Sequence, residues 1–188
     1  MTLPSLTLAQ KPGSPHTVVL LLGGNLGNRE TLLNEALRLL ECEAGPCTGA
    51  SLFYESEPWG FSESVNPFLN RVIVLQSCLS APEVLEVALS VERRLGRRRS
   101  EEDALYASRT LDVDILFYDD CLISTPSLTI PHPRIASRKF VLVPLAELMP
   151  RERHPAHGVT IEELLSACTD TLWVRRYRQN RDEESEKS

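Results

Sequence analysis

Apolar positions along this chain follow two periods, one suited to strands and one to helices. Thr17, Val18, Val19, Leu20, Leu21 and Leu22 form an unbroken β-branched and aliphatic run that stops at Gly23 and Gly24, as a buried strand entering a tight turn does. Behind it Asn28 can cap a helix in which Leu33, Ala36, Leu37 and Leu40 share one face. Residues 51–54 read as a short strand and 71–75 as another, with a loop bearing Pro, Gly and Ser between them. Ser80 and Glu83 make a capping box with Pro82 in its first turn, and Val84, Leu85, Ala88, Leu89 and Val91 supply an apolar face as far as Gly96. Residues 111–118 alternate, with Leu111, Val113, Ile115 and Phe117 toward one face and Asp112 and Asp114 toward the other. A helical segment follows around 140–148, and Thr160 with Glu163 opens a last short helix.

The order β, α, β, β, α, β matches the split βαβ pattern, so the fold predicted is α+β. It would have a ferredoxin-like core, an antiparallel sheet with helices on one face, and further helices at the C-terminus. Residues 1–16 hold three prolines and no periodicity, and 175–188 are almost wholly polar. Both are expected to be tails, leaving 17–174 as one folding unit. No run approaches the ~20 apolar residues that span a bilayer, and the start lacks the basic region of a signal peptide. A soluble cytoplasmic protein without a membrane partner is expected, as a monomer or weak dimer. Five cysteines at irregular spacing exclude a disulfide framework and a paired zinc site, and suit free thiols in a reducing compartment. The net charge of −6 argues against a nucleic-acid groove. Yet 17 Arg against 3 Lys is a composition suited to gripping phosphate locally.

Asp112 and Asp114 stand about 6.6 Å apart along a strand, close enough to reach metal ions ~4 Å apart. A solvated strand face is the plainer explanation of such a pair, and on an open face either carboxylate would be removable at little cost to the fold. The neighbourhood favours chemistry, because Arg97, Arg98 and Arg99 follow Gly96 and Arg109 stands just ahead of the carboxylates. Magnesium on carboxylates with arginines close by is what polyphosphate transfer requires. His132 lies between two prolines near Arg134 and Arg138, whereas His154 and His157 lack acidic or Cys partners and read as loop residues. No Walker A sequence occurs. Phe68, Asn70 and Phe140 offer flat apolar faces and an amide, which together can hold a heterocycle.

Taken together these pieces resemble the hydroxymethyldihydropterin pyrophosphokinase family of folate biosynthesis. The matching residues lie at 22–27, 53–54, 57–60, 68–70, 96–99, 109–115, 130–133, 138 and 140–145, in the family's order, over roughly 17–170. The resemblance implies transfer of the pyrophosphoryl group of ATP to the hydroxymethyl oxygen of a reduced pterin, leaving AMP. It implies two Mg2+ ions on Asp112 and Asp114, and Arg97, Arg99 and Arg109 acting on the phosphates, the latter two on a closing loop. Glu92, Tyr106, His132 and Arg138 would bind ATP, with backbone near Ile115 and Thr129 reading adenine. Phe68 and Phe140 would sandwich the pterin, Asn70 would bond its edge, and Gly23, Asn25, Ser56 and Trp59 would complete its pocket. The chain departs from the family at Gly24, where Ser is usual, and at Ser100, where Lys is common. Its segment 99–109 is also about two residues longer.

Overall fold

A computed structural model describes residues 14–60, 65–97 and 108–178. Its centre is β1 (His16–Gly24), which pairs antiparallel with β4 (Phe68–Ser77) on one side and with β5 (Asp112–Tyr118) on the other. Beyond β4 lie β2 (Cys47–Ala50), β3 (Tyr54–Ser56) and, outermost, β8 (Val174–Arg176). The strand order is β5-β1-β4-β3-β8, with β2 also on β4, and β6 (Ile123–Ser124) and β7 (Thr129–Ile130) form a separate hairpin. The fold is therefore α+β, an antiparallel sheet with helices packed on it.

The helices cover both faces rather than the single face expected. α1 (Arg29–Ala44) and α2 (Ala81–Arg94) pack Leu33, Leu40, Val84 and Val91 against Leu20, Leu22, Leu69 and Ile73. α3 (Lys139–Leu148) and α4 (Ile161–Ala167) pack Val141, Leu142, Leu145 and Ile161 against Val19, Leu21 and Val72 on the opposite side. This is why β1 carries an unbroken apolar run, since a strand covered on both sides buries every residue. The helix starts follow the expected chemistry. Asn28 Oδ1 accepts from Thr31 N at 3.2 Å, and the Ser80 and Thr160 backbones each donate to the glutamate three residues on at 2.7 Å.

Four local readings change. The strand expected at 51–54 falls in the gap between β2 and β3, with only Tyr54 inside a strand, and there the Ser51 hydroxyl accepts from Val72 N at 3.0 Å in the place of a ladder carbonyl. The C-terminal tail does not begin at residue 175. Val174, Arg175 and Arg176 pair with Ser56, Glu55 and Tyr54, and Tyr177 N donates to Phe53 O at 2.8 Å. Likewise His16, expected in the N-terminal tail, already opens β1. The alternation of β5 also breaks: Val19 pairs with Phe117 but Leu20 with Ile115, so Leu116 is an extra residue. The bulge turns Leu116 and Phe117 together toward α3 and leaves Tyr118 on the α1 and α2 side, so Phe117 does not share a face with Val113 and Ile115. His154 is buried, and its Nδ1 accepts from Ala156 N at 3.2 Å. Burial, then His157, lowers it to about 4, so it is a neutral loop pin, as the sequence suggests.

Candidate active site

The acidic end of β5 lies on the face that α3 shares, where the helical cover stops. The register sets two rows across the sheet. Asn70, Gly23 and Asp112 form one, and Val72, Leu21 and Asp114 the next. Gly23 has no side chain between the Asn70 amide and the Asp112 carboxylate, and a Cβ there would stand 3.1 Å from Asn70 Oδ1. The missing atom keeps the floor of the site open. Gly24 serves a different need, because a Cβ at that position would lie 2.3 Å from Thr110 O, inside contact distance of rigid backbone. Glycine at this position thus permits the 109–110 backbone to lie directly against the end of β1.

Arginines hold Asp112 from both sides. Arg97 Nη1 binds its Oδ1, and Arg109 Nη1 its Oδ2 at 2.5 Å. Arg97 also reaches Glu92 Oε1 at 2.6 Å, and that oxygen accepts from Val113 N at 2.9 Å. Glu92 is a buried last-turn residue of α2, so it ties that helix to both the arginine and the strand. Burial pushes the Asp112 carboxyl up, but the guanidiniums of Arg97 and Arg109 more than reverse this and hold it below its usual range. Asp114 has the opposite balance. Burial, then the charge on Asp112, pushes it up to about 7, against a weaker pull from Arg138. The two carboxylates differ in state although the sequence makes them equivalent.

Arg109 is not carried on a free loop. Its backbone N donates to Asn25 Oδ1 at 2.8 Å, and its carbonyl accepts from the backbone of Asn25 at 3.0 Å and of Leu26 at 3.3 Å. Asn25 Nδ2 donates to Ser108 Oγ at 3.0 Å and Asn66 O at 3.3 Å. Asn25, expected in the pterin pocket, therefore spends its amide on this junction and does not line the cavity. Arg98, Arg99 and Tyr106 lie outside the described residues.

Opposite the carboxylates, Ser56 Oγ accepts from Asn70 Nδ2 at 2.9 Å, while Arg138, at the start of α3, lies over the rings of Trp59 at 4.8 Å and Phe140 at 5.5 Å. One cavity of about 620 Å³, counting its open mouth, joins the two halves. It is lined by Gly23, Ser56, Trp59, Phe68, Asn70 and Phe140 together with Arg109, Asp112, Asp114 and Arg138, and also by Leu21 and Glu57. Glu57 belongs to the matching stretch 57–60, whereas Leu21 was missed by sequence reasoning, although it is legible once the pairing of β1 with β5 is known. Of the described residues expected on the nucleotide side, Arg138 lines this cavity, whereas Glu92, Ile115, Thr129 and His132 do not. His132 N donates to Leu116 O at 3.0 Å, so the extra carbonyl of the bulge fixes the histidine's backbone. Its Nδ1 accepts from Arg134 N at 3.2 Å, and burial followed by the charges of Arg138 and Arg134 lowers it to about 4. At neutral pH it is an uncharged ring with Nε2–H left to donate. Thr129 is exposed on β7, and the Ile115 side chain belongs to the core.

Comparison with known proteins gives the family. Residues 19–150 match the model of 7,8-dihydro-6-hydroxymethylpterin-pyrophosphokinase (HPPK). This chain belongs to that family. The 2-amino-4-hydroxy-6-hydroxymethyldihydropteridine pyrophosphokinase of Porphyromonas gingivalis is 42% identical over 134 residues, covering 71% of this chain and 90% of its own length. The Bacillus subtilis enzyme of the same name is 37% identical over 159 residues, covering 84% and 88%. Among solved structures, Plasmodium falciparum HPPK-DHPS with pteroate superposes with a TM-score of 0.68 at 17% identity, over 85% of this chain. That likeness speaks for the fold alone, and this chain spans only 43% of that longer protein. The HPPK family match ends at residue 150, so α4 and β8 lie beyond it.

Proposed function

We propose that this chain transfers the pyrophosphoryl group of ATP to the hydroxymethyl group of 6-hydroxymethyl-7,8-dihydropterin, giving AMP and the pterin diphosphate. The observation that carries this is the single cavity that places Phe68, Asn70 and Phe140 beside Arg109, Asp112 and Asp114. A flat heterocycle held by the first group presents its substituent to the second. The hydroxymethyl oxygen attacks the β-phosphorus, the bond from that phosphorus to the oxygen shared with the α-phosphate breaks, AMP leaves with the electron pair, and the hydroxyl gives up its proton. We read the core as ferredoxin-like, which the β5-β1-β4 order with β2 and β3 beyond supports.

The donor set suits magnesium. Asp112 and Asp114 are hard, acceptor-only ligands with no third protein ligand grouped beside them among the described residues, and magnesium keeps water and phosphate oxygens in its shell. Burial, then the charge on Asp112, raises Asp114 to about 7, a penalty on its ionised form that a bound cation would relieve. Bound there, two ions in our reading, magnesium supplies charge neutralisation to the polyphosphate. Arg97 and Arg109, both paired with Asp112, would take up phosphate oxygens. His132 donates from Nε2 and Arg138 adds charge on the nucleotide side. Glu92 orients Arg97. No helix among the described residues is long and apolar enough to cross a membrane, and we place the reaction in the cytoplasm. Incubation with ATP, Mg2+ and the reduced pterin is expected to yield AMP and the pterin diphosphate, and formation of ADP instead would reject this function.

The ring pocket has its own test. Asn70→Ala strands polar edges of the pterin at a cost of about 1 to 3 kcal/mol and removes the bond to Ser56, whereas Phe140→Ala loses one stacking face worth ~1 kcal/mol beyond area burial. Calorimetry with an ATP analogue present should show Asn70→Ala weakening the pterin at least as much as Phe140→Ala, with analogue affinity unchanged. Undiminished pterin binding in Asn70→Ala would move the pocket elsewhere.

A further inference from the structure

The residues that line the acceptor side of the cavity sit at the ends of two strands that converge, and a group of charges outside the cavity joins those ends. Ser56 closes β3 and Phe68 opens β4, facing each other in register. Between their neighbours stands Arg29, at the first turn of α1. Its Nη1 donates to Pro67 O at 2.7 Å, the carbonyl just before Phe68, and its Nη2 meets Glu55 Oε1 at 3.0 Å, on the residue just before Ser56. The other oxygen of Glu55 receives Arg175 of β8, from Nη2 at 2.6 Å and Nε at 3.2 Å. Glu55 keeps only 11% of its side chain exposed between the two guanidiniums. Burial pushes its carboxyl up, but Arg175 and Arg29 outweigh this and keep it ionised.

Trp173, just ahead of β8, also grips the segment that follows Ser56. Glu57 N donates to Trp173 O at 3.1 Å and Trp173 N to Glu57 Oε2 at 3.4 Å, while Arg175 lies over the Trp173 ring at 4.8 Å. Without β8 the three residues of β3 would be an edge strand with one side of its backbone unpaired, a poor base for a rigid binding loop. None of Arg29, Glu55, Trp173 and Arg175 lines the cavity.

We propose that Arg29, Glu55 and Arg175 form a clamp through which the C-terminal strand positions Ser56, Glu57 and Phe68, and so sets affinity for the acceptor ring without touching either substrate. The identity of that ring as a reduced pterin rests on the function proposed above. Arg29, Glu55 and Arg175 are positioning residues, and their effect belongs to the acceptor alone because Asp112, Arg97 and His132 are held by β5, α2 and the bulge.

The variant to make is Arg175→Ala, since that side chain is 69% exposed and its loss leaves the Arg29 pair with Glu55 intact. Steady-state kinetics should show KM for the pterin raised about 5- to 10-fold, with kcat and KM for ATP within about twofold, and Arg175→Lys should recover most of the loss. Amide hydrogen exchange in the absence of substrate should be faster at Glu55, Ser56 and Glu57 in Arg175→Ala, and unchanged at Val113 and Asp114. Unchanged exchange at 55–57, or a fall in kcat and in ATP affinity matching that for pterin, would overturn the clamp. A wild-type protein that forms no AMP would overturn the function instead, and the exchange experiment would still decide the clamp.

Discussion

Replacing either carboxylate, as Asp112→Asn or Asp114→Asn, is expected to lower turnover by more than about 1,000-fold, because each removes a charged magnesium ligand facing the polyphosphate. Their effects on stability should be opposite in sign. Asp112 balances two guanidiniums and sits below its usual range, so its stabilisation is present at neutral pH, and Asn leaves Arg97 and Arg109 with one carboxylate fewer, a loss of about 2 kcal/mol. Asp114 is raised from 3.8 to about 7, so the folded state holds a proton that the unfolded state has released. Its contribution is full below 3.8 and is lost as pH rises through 7, and Asn escapes that loss. In metal-free buffer at pH 8, Asp112→Asn should melt below wild type and Asp114→Asn at or above it. The open face expected for the pair would make them equivalent, so identical melting would favour it. Near-normal turnover in Asp112→Asn would remove the metal assignment.

Features legible before the structure were those whose physics is local. The apolar run of β1, the capping boxes at Ser80 and Thr160, and the alternation of residues 111–115 each depend on neighbours within a few positions. What escaped depends on partners far along the chain. The β5 bulge is set by pairing with Val19 and Leu20, and nothing in the local order of Leu116 and Phe117 announces it. Ser51 interrupts a ladder only because Val72 faces its hydroxyl. β8 is three residues, two of them charged, and becomes a strand because Glu55 waits for Arg175. The second helical layer was readable in principle, since an apolar run of five residues, Val18 to Leu22, without alternation asks for cover on both faces. At the site, Asp112, Asp114 and Arg109 stood out by residue type and spacing, and Phe68, Asn70 and Phe140 as rings and an amide. Their meeting in one cavity required the strand register. Asn25 could be picked out as a turn residue, but its grip on the Arg109 backbone is a contact across 84 positions.

That grip shapes what Arg109 can do. With its N–H and carbonyl both tied to the end of β1, and Gly24 clearing space for Thr110, only the side chain is left to swing, from Asp112 to the phosphates. Arg109→Ala should therefore leave the fold nearly unchanged, Asp112 keeping Arg97. It should also leave ATP affinity within a few-fold, because the guanidinium gives up one anionic partner to gain another on binding. The charge it meets grows only as the β-phosphorus transfers, so its loss falls on the chemical step. Removing a preorganised contact of this kind costs about 2.7 to 4 kcal/mol, or ~100- to 1,000-fold in rate. Arg109→Lys restores the charge without the planar fork and should recover part of the rate. Arg97 differs, since Glu92 holds it as well and Arg97→Ala removes a cation paired with that buried carboxylate, so that variant should lose stability along with rate. Single-turnover measurement at saturating ATP separates the two roles. A normal transfer rate with only weaker ATP binding would make Arg109 a ground-state clamp, and the pinned backbone would then serve affinity rather than catalysis.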